Sequence, residues 1–595
     1  MRWKARRRAV WACAFLAVIF TVFSARLIYL QVAKNEEYAA LAAKNHTTRI
    51  PIPSRRGLIQ DRHGEVLAAN VPVRKVVADG SLVKSPGKIA EIAAPWLGMD
   101  EATLRKELTL EPKNKYKVLV HELPEDKAFA LQKELSDKNL RGLFFYENTT
   151  RTYPNGPMLS HVLGFLSRKD PKDEHVVGVD GIERSLESDL AGVDGYRHIE
   201  RDRTGKEVVI YRGQEQAPRN GYNVQLTIDM GLQAILEAEM EAAFKELKPE
   251  TAIGILVDPK TGEILALSNR PCFDPNDLNA TKPEQMINRA ILDIVEPGST
   301  FKIVVAAAAL NERIVNDRSL IYCENGAFSY GGRILRDHHG YGQMTVHDIL
   351  MKSSNIGSAK MALMMGDDKY YEYVRRFGFG DRTGVELPGE TAGIVSPPAK
   401  WDKLTITRMP MGHAIAVTPL QIVMGMSVIA NGGKLMKPHI VRSIKDEDGG
   451  DVYSFQPEVL REVVPERTAK FVSTALESVV GVGGTAQLAR VIGYSVAGKT
   501  GTAQKVDPKG GYSPGKYVVS FVGYMPAEDP RFVCLIMVND AKIASNLNYG
   551  GLVAAPIFSR VAEKAARYLD LTPAPKAESI LPVALRDSEE KEYRQ

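Results

Sequence analysis

The chain predicts an α+β fold behind a single membrane-spanning helix, and three observations carry that expectation. Residues Ala9–Ala25 hold no charge and are almost entirely apolar, and Leu27–Leu30 lengthens the run to bilayer thickness. Beyond a polar, turn-rich stretch at 213–221 the pattern changes to well-separated strands and helices. Two of those strands, Tyr517–Gly523 and Arg531–Val538, are joined only by Tyr524–Pro530, a connection too short for a crossover, so they run antiparallel.

The N-terminus comes first. Its Arg2, Lys4, Arg6, Arg7 and Arg8 account by themselves for the net charge of +5, so the 595-residue chain has no basic surface of the kind nucleic acid requires. By the positive-inside rule they place residues 1–8 in the cytoplasm, 9–31 in the membrane, with Arg26 snorkelling to the far interface, and everything later outside. A cleaved signal peptide opens the same way, but this span is long and no small-x-small site precedes a polar mature start. Cys13 lies in the anchor. Cys272, Cys323 and Cys534 are widely spaced, which gives neither a disulfide framework nor a zinc pattern and leaves one pair open.

Residues 32–221 read as a non-catalytic region. Gln31–Asn45 continues helically, Thr47–Pro53 is extended, and Leu58–Ala68 is a hairpin turning at His63-Gly64. A strand at Tyr116–Val120 and a charged helix at Pro124–Leu140 follow, without chemistry of their own. Residues 222–570 form the second domain: strand Val224–Asp229, helix Met230–Leu247, strands Thr251–Asp258 and Glu263–Ser268, then helices from Ser299 and over Val346–Met365, Lys369–Phe377, Pro419–Ala430, Glu466–Val479 and Ala554–Tyr568. The proline-rich, charged residues 571–595 read as a disordered tail.

Chemistry concentrates in three places. Pro297-Gly298 turns the chain, Ser299 starts a helix, and Ile303–Leu310 is too apolar to face water. Ser299 and Lys302, three apart, share one helical face, and a buried lysine can take a serine proton because burial lowers its pKa. Ser353-Ser354-Asn355 and Lys499-Thr500-Gly501-Thr502 follow. Gly493–Thr500 also satisfies a P-loop pattern, but Gly501 and Thr502 do not begin a helix and the strands that follow form a hairpin. Asp337-His338-His339 has no second ligand cluster and reads as exposed loop polarity.

The three boxes S-x-x-K, S-x-N and K-T-G, in this order, resemble those of penicillin-recognising serine enzymes. The wording of Arg55–Ala68, of Arg151-Thr152-Tyr153-Pro154 and of Gly178–Arg184 with Leu190–Gly195 resembles the juxtamembrane and pedestal segments of class B penicillin-binding proteins, the D,D-transpeptidases of peptidoglycan. That resemblance implies an elongated pedestal and a penicillin-binding transpeptidase domain, an antiparallel sheet covered by helices. It assigns Ser299 as nucleophile and Lys302 as its base. Ser353 becomes a proton relay to the leaving amine, and Asn355 a holder of Lys302 and of the substrate amide. Lys499, Thr500 and Thr502 become carboxylate binders, with the N–H groups of Ser299 and Thr502 as oxyanion hole and Gly501 making room for substrate.

It also implies pentapeptide stems of nascent peptidoglycan as substrate, β-lactams as inhibitors, no cofactor and no metal. The place implied is the bacterial inner membrane, with the catalytic domain periplasmic and a polytopic FtsW-type glycosyltransferase among other divisome proteins as partners. Asn288-Arg289-Ala290, Glu296–Lys302 and Met411–Gln421 resemble the septal, FtsI-like members; elongation enzymes share the chemistry. A β-lactamase-like hydrolase needs a deacylating water and base that are not identified, a penicillin sensor needs inner-side machinery, and a silent scaffold needs no serine. At Asn539-Asp540-Ala541-Lys542 many relatives carry a proline after the acidic residue, a departure expected to touch only a surface loop.

Overall fold

The computed structural model describes residues 2–37, 47–110, 117–168, 170, 176–201, 207–210, 215–507, 511–544 and 547–573. The expected tail beyond 573, the helical continuation over 38–45 and linker residues 213 and 214 lie outside the described residues. The chain divides into two compact units, Met1–Arg56 with Ala191–Gly221, and Gly57–Leu190 with Tyr222–Gln595.

In the first unit the apolar run is helix Arg2–Ile28, prolonged by a π-helical turn at Tyr29–Ala33. Arg6–Ala33 is the one helical stretch among the described residues long and apolar enough to cross a membrane. Thr47–Ile52 is extended as expected and pairs antiparallel with Gly195–Arg201, which pairs with Glu207–Ile210.

The second unit is α+β. Its central sheet runs in the order Ile264–Arg270, Thr251–Val257, Phe532–Asn539, Tyr512–Met525, Ala497–Val506, antiparallel throughout. Every residue of Thr251–Val257 is buried, because helices cover both faces, and this explains why that strand is apolar without alternation. Helices Met230–Leu247 and Gly550–Tyr568 pack on each other and on the sheet, as do Pro419–Ala430 and Glu466–Val480. Asp229 caps the first of these, accepting from the N–H groups of Gly231 and Leu232. Ala497–Val506 is left as an edge strand.

The hairpin residues join a separate sheet. Ile59–Gln60 pairs antiparallel with Val66–Ala78 and parallel with Asn223–Leu226. The close approach demands Gly57, where a Cβ would stand 1.7 Å from the carbonyl oxygen of Tyr222. Asp61 fixes the hairpin by accepting from the N–H groups of His63 and Glu65, both at 2.8 Å, and of Met230 at 3.3 Å. Arg151, its side chain largely buried, donates to Glu183 at 2.6 Å and to the carbonyl of Gly57 at 2.9 Å. Arg151 and Glu183 thus fasten their two segments to each other and to Gly57. A smaller hydrophobic core lies where helices Pro86–Leu97, Glu101–Leu110 and Glu125–Asp137 meet strands Val66–Ala78 and Lys117–Pro124.

Candidate active site

Ser299 sits in a 3-10 turn, Gly298–Phe301, that feeds helix Lys302–Asn311. The expectation that Ser299 starts the α-helix is corrected by one turn: its side chain makes no cap, and the α-helix begins at Lys302. Lys302–Ala309 are all buried, so this helix is apolar all round and Lys302 has no route to solvent. Glu296 ties the turn down from outside. Its carboxylate lies 2.7 Å from His413 Nδ1 and accepts from the Ala414 N–H and the Tyr512 hydroxyl, both at 3.1 Å.

The single helix expected over Val346–Met365 is two, Val346–Lys352 and Asn355–Met365. Between them Ser353 adopts a left-handed backbone, φ 60° and ψ 42°, which costs a non-glycine residue about 1–2 kcal/mol. Ser354 caps the second helix by accepting from the Gly357 N–H at 3.0 Å. Three consecutive residues of the type that favours caps over helix interiors were the signal for this break. The break points both the carbonyl and the hydroxyl of Ser353 at Lys302, whose Nζ donates to Ser353 O at 2.5 Å, lies 3.0 Å from Ser353 Oγ, and donates to Asn355 Oδ1 at 2.8 Å.

Lys499, Thr500, Gly501 and Thr502 lie on the edge strand Ala497–Val506, antiparallel to Tyr512–Met525. Its strand and hairpin setting excludes the P-loop pattern, which needs a helix after the lysine. Lys499 is 0% exposed, and its Nζ has no hydrogen-bond partner among the described residues. Burial pushes its pKa down to about 7. For Lys302 burial is again the largest cause, repulsion from Lys499 adds to it and Asp337 opposes it; the result lies well below the ordinary lysine value.

Thr502 Oγ1 accepts from the Gly550 N–H at 3.2 Å, which leaves its proton free to donate, and Thr500 Oγ1 lies 3.3 Å from Thr485 Oγ1. Gly501 has a more specific reason than room for substrate. A Cβ there would meet Ser520 Oγ at 2.4 Å, Pro297 O at 2.9 Å and Thr300 Cγ2 at 3.0 Å, so the missing side chain lets the edge strand lie against the Ser299 turn.

Asp337 is not exposed loop polarity. Its carboxylate accepts from Ser354 Oγ and from the N–H groups of Asn355 and Ile356. Among the described residues no group of three or more His, Cys, Asp or Glu is arranged to hold a metal, and all four cysteines are free. The segment after Asn539 also departs from its expectation: Asp540 is buried, with φ 55°, and accepts from Lys542 at 2.5 Å. Sequence reasoning missed the contacts of Glu296 and Asp337, because their partners are far away in the chain.

Comparison with known proteins agrees with this geometry. A family model described as the penicillin binding protein transpeptidase domain matches residues 252–563, and one described as the penicillin-binding protein dimerisation domain matches residues 51–226. Stage V sporulation protein D of Bacillus subtilis is 33% identical, over 96% of this chain and 86% of its own. The peptidoglycan D,D-transpeptidase FtsI of Escherichia coli is 31% identical, over 94% and 91% respectively. The crystal structure of penicillin binding protein 3 from Mycobacterium tuberculosis, complexed with aztreonam, is 28% identical with a TM-score of 0.67, covering 89% of this chain and 99% of its own. With an S-x-x-K turn, an S-x-N break and a K-T-G edge strand in one unit, and with both domains of the family matched, the chain belongs to the class B penicillin-binding proteins, the serine-type D,D-transpeptidases of peptidoglycan.

Proposed function

We propose that this transpeptidase cross-links septal wall during cell division, with Ser299 as the acylated residue. Ser299 Oγ attacks the carbonyl between the two terminal D-alanines while Lys302 takes its proton, and the terminal D-alanine leaves with a proton relayed through Ser353. The amine of a neighbouring stem then attacks the acyl-serine and releases the enzyme. Asn355 holds Lys302 and the substrate amide, and Lys499, Thr500 and Thr502 bind the terminal carboxylate beside Gly501. The backbone N–H groups of Ser299 and Thr502 stabilise the oxyanion, a contribution of about 3–4 kcal/mol in such sites. The observation that carries this reading is the seating of a fully buried Lys302 amine on Ser353 and Asn355.

Labelled penicillin is expected to mark the protein covalently, and Ser299→Ala to abolish the mark; a label that persists overturns the nucleophile assignment. Lys302→Ala should remove nearly all of it. Rapid penicillin turnover instead of a lasting adduct would favour a hydrolase.

The septal role draws on the FtsI-like wording of Glu296–Lys302 and Met411–Gln421 and on the 31% identity to FtsI. The 33% identity to stage V sporulation protein D favours a second reading, a role confined to sporulation. Depletion in the native cell separates them: filaments for septal, rounded cells for elongation, a defect only in spores for the second reading. In this proposal residues 1–8 are cytoplasmic, 9–31 span the inner membrane, 32–221 form the pedestal and 222–570 the periplasmic catalytic domain. The pedestal and anchor then meet an FtsW-type glycosyltransferase.

A further inference from the structure

Asp337 has no part in the chemistry assigned above, yet it touches the residues that do. Oδ2 accepts from Ser354 Oγ at 2.7 Å, and Oδ1 accepts from the backbone N–H of Asn355 and, at 3.1 Å, of Ile356. One residue earlier, the carbonyl of Arg336 accepts from Asn355 Nδ2 at 3.0 Å. A carbonyl oxygen only accepts, so this contact selects the amide orientation that turns Oδ1, and not the NH2 group, toward Lys302. Asn355 is thereby held at its backbone by Asp337 and at its side chain by Arg336, and its free oxygen is the atom 2.8 Å from Lys302 Nζ.

We infer that Asp337 is a positioning residue for acylation, holding the left-handed Ser353 and the N-terminus of Asn355–Met365 so that Ser353 and Asn355 face Lys302. The inference rests on the reading of Lys302 as base. Two functions meet in one carboxylate. As a hydrogen-bond acceptor it fixes the turn. As a negative charge it is the opposing group to Lys499 in the surroundings of Lys302, where His338 is the other titratable neighbour. Desolvation and the lysines hold His338 below its ordinary value, and Asp337 is the negative group that opposes the downward shift of Lys302.

A plain helix cap would have only the first function, and pH separates the two. Asp337→Asn keeps the size of the side chain, removes the charge and, with its oxygen kept toward the two N–H donors, sets an NH2 group against the Ser354 hydroxyl. In the full chain in detergent, the penicillin acylation rate constant is expected to fall about tenfold or more, because a small displacement of reacting groups has that effect. The noncovalent Kd should stay within about threefold. The acid limb of the acylation profile should move to lower pH, since Lys302 without Asp337 gives up its proton more readily. An unchanged rate constant, or an acid limb that stays in place, overturns the inference.

Should Asp337→Asn fail to fold, Asp337→Glu keeps the charge and displaces the carboxylate from its three donors by one methylene. A lower acylation rate at unchanged melting temperature supports the positioning role, and an unchanged rate overturns it. Lys302→Ala in the same assay keeps the two readings apart: retained acylation there sinks the base assignment, whatever the Asp337 variants do.

Discussion

Gly501→Ala tests whether the edge strand must touch the turn that carries Ser299. Glycine here has no left-handed backbone to protect, so alanine brings no φ strain, and the lower entropy of the unfolded chain would by itself stabilise slightly. The cost comes from contact. A methyl would stand 2.4 Å from Ser520 Oγ, 2.9 Å from Pro297 O and 3.0 Å from Thr300 Cγ2. The Ser520 hydroxyl can rotate away. The Pro297 carbonyl is backbone and already accepts from Thr300 Oγ1 at 2.8 Å, so the strand must retreat by a few tenths of an ångström. Overpacking of this kind costs about 1–3 kcal/mol, and a displacement toward 1 Å between nucleophile and carboxylate site costs up to about 100-fold in rate. Urea unfolding reads the first and stopped-flow acylation by penicillin the second. Adding Ser520→Ala should recover little of the stability or of the acylation, because the Pro297 contact remains. Wild-type acylation by Gly501→Ala, or full recovery in the double variant, would refute the argument.

Lys499 is pushed by burial to about 7, so its charge is complete below that pH and lost above it. Binding of a carboxylate-bearing β-lactam to the free enzyme should therefore weaken as pH rises through about 7, and Lys499→Arg should remove this alkaline limb, since arginine stays charged. Titration of noncovalent Kd against pH checks it. Arg151→Ala or Glu183→Ala removes one partner of a buried ion pair and should destabilise by about 3–5 kcal/mol, read as a lowered urea midpoint with acylation of the folded fraction intact. Tyr512→Phe removes one hydrogen bond to Glu296, worth about 1 kcal/mol, and should slow acylation more than it lowers melting temperature.

Most of the fold was legible because its signals are local. Met230–Leu247, from its periodicity, and Pro419–Ala430 were readable to the residue, and the caps Asp229 and Thr418 agree with where they start. The short connection Tyr524–Pro530 was enough to orient two strands. What failed was non-local. A run from Val346 to Met365 looks helical by composition, and although Ser353-Ser354-Asn355 hints at a break, the partners that fix its geometry, Lys302 and Asp337, lie elsewhere in the chain. Asp337 sits in a polar loop by its neighbours in sequence, and its partners Ser354 and Asn355 are set against it by tertiary structure alone. Gly501 was singled out for the substrate it admits, whereas the atoms that exclude a methyl belong to two other segments, the Ser299 turn and the strand that carries Ser520.

The two lysines show how placement, and not residue type or burial, divides the work. Both are 0% exposed and both are shifted down, yet their partners differ. A neutral amine has two N–H donors and one lone pair, and a charged one has three donors. Ser353 O and Asn355 Oδ1 only accept, so together they use both donors of neutral Lys302 and leave its lone pair for a hydroxyl, with Ser353 Oγ 3.0 Å away. Once protonated, the same amine donates to all three atoms without moving. A group so seated can take a proton and give it back at little reorganisation. Lys499 has no such seat: its charged form, buried without an acceptor among the described residues, is completed only by an anion brought to it. In the proposed mechanism that anion is the terminal carboxylate of the stem, and this is why the lysine with no partner serves binding while the lysine with three serves proton transfer.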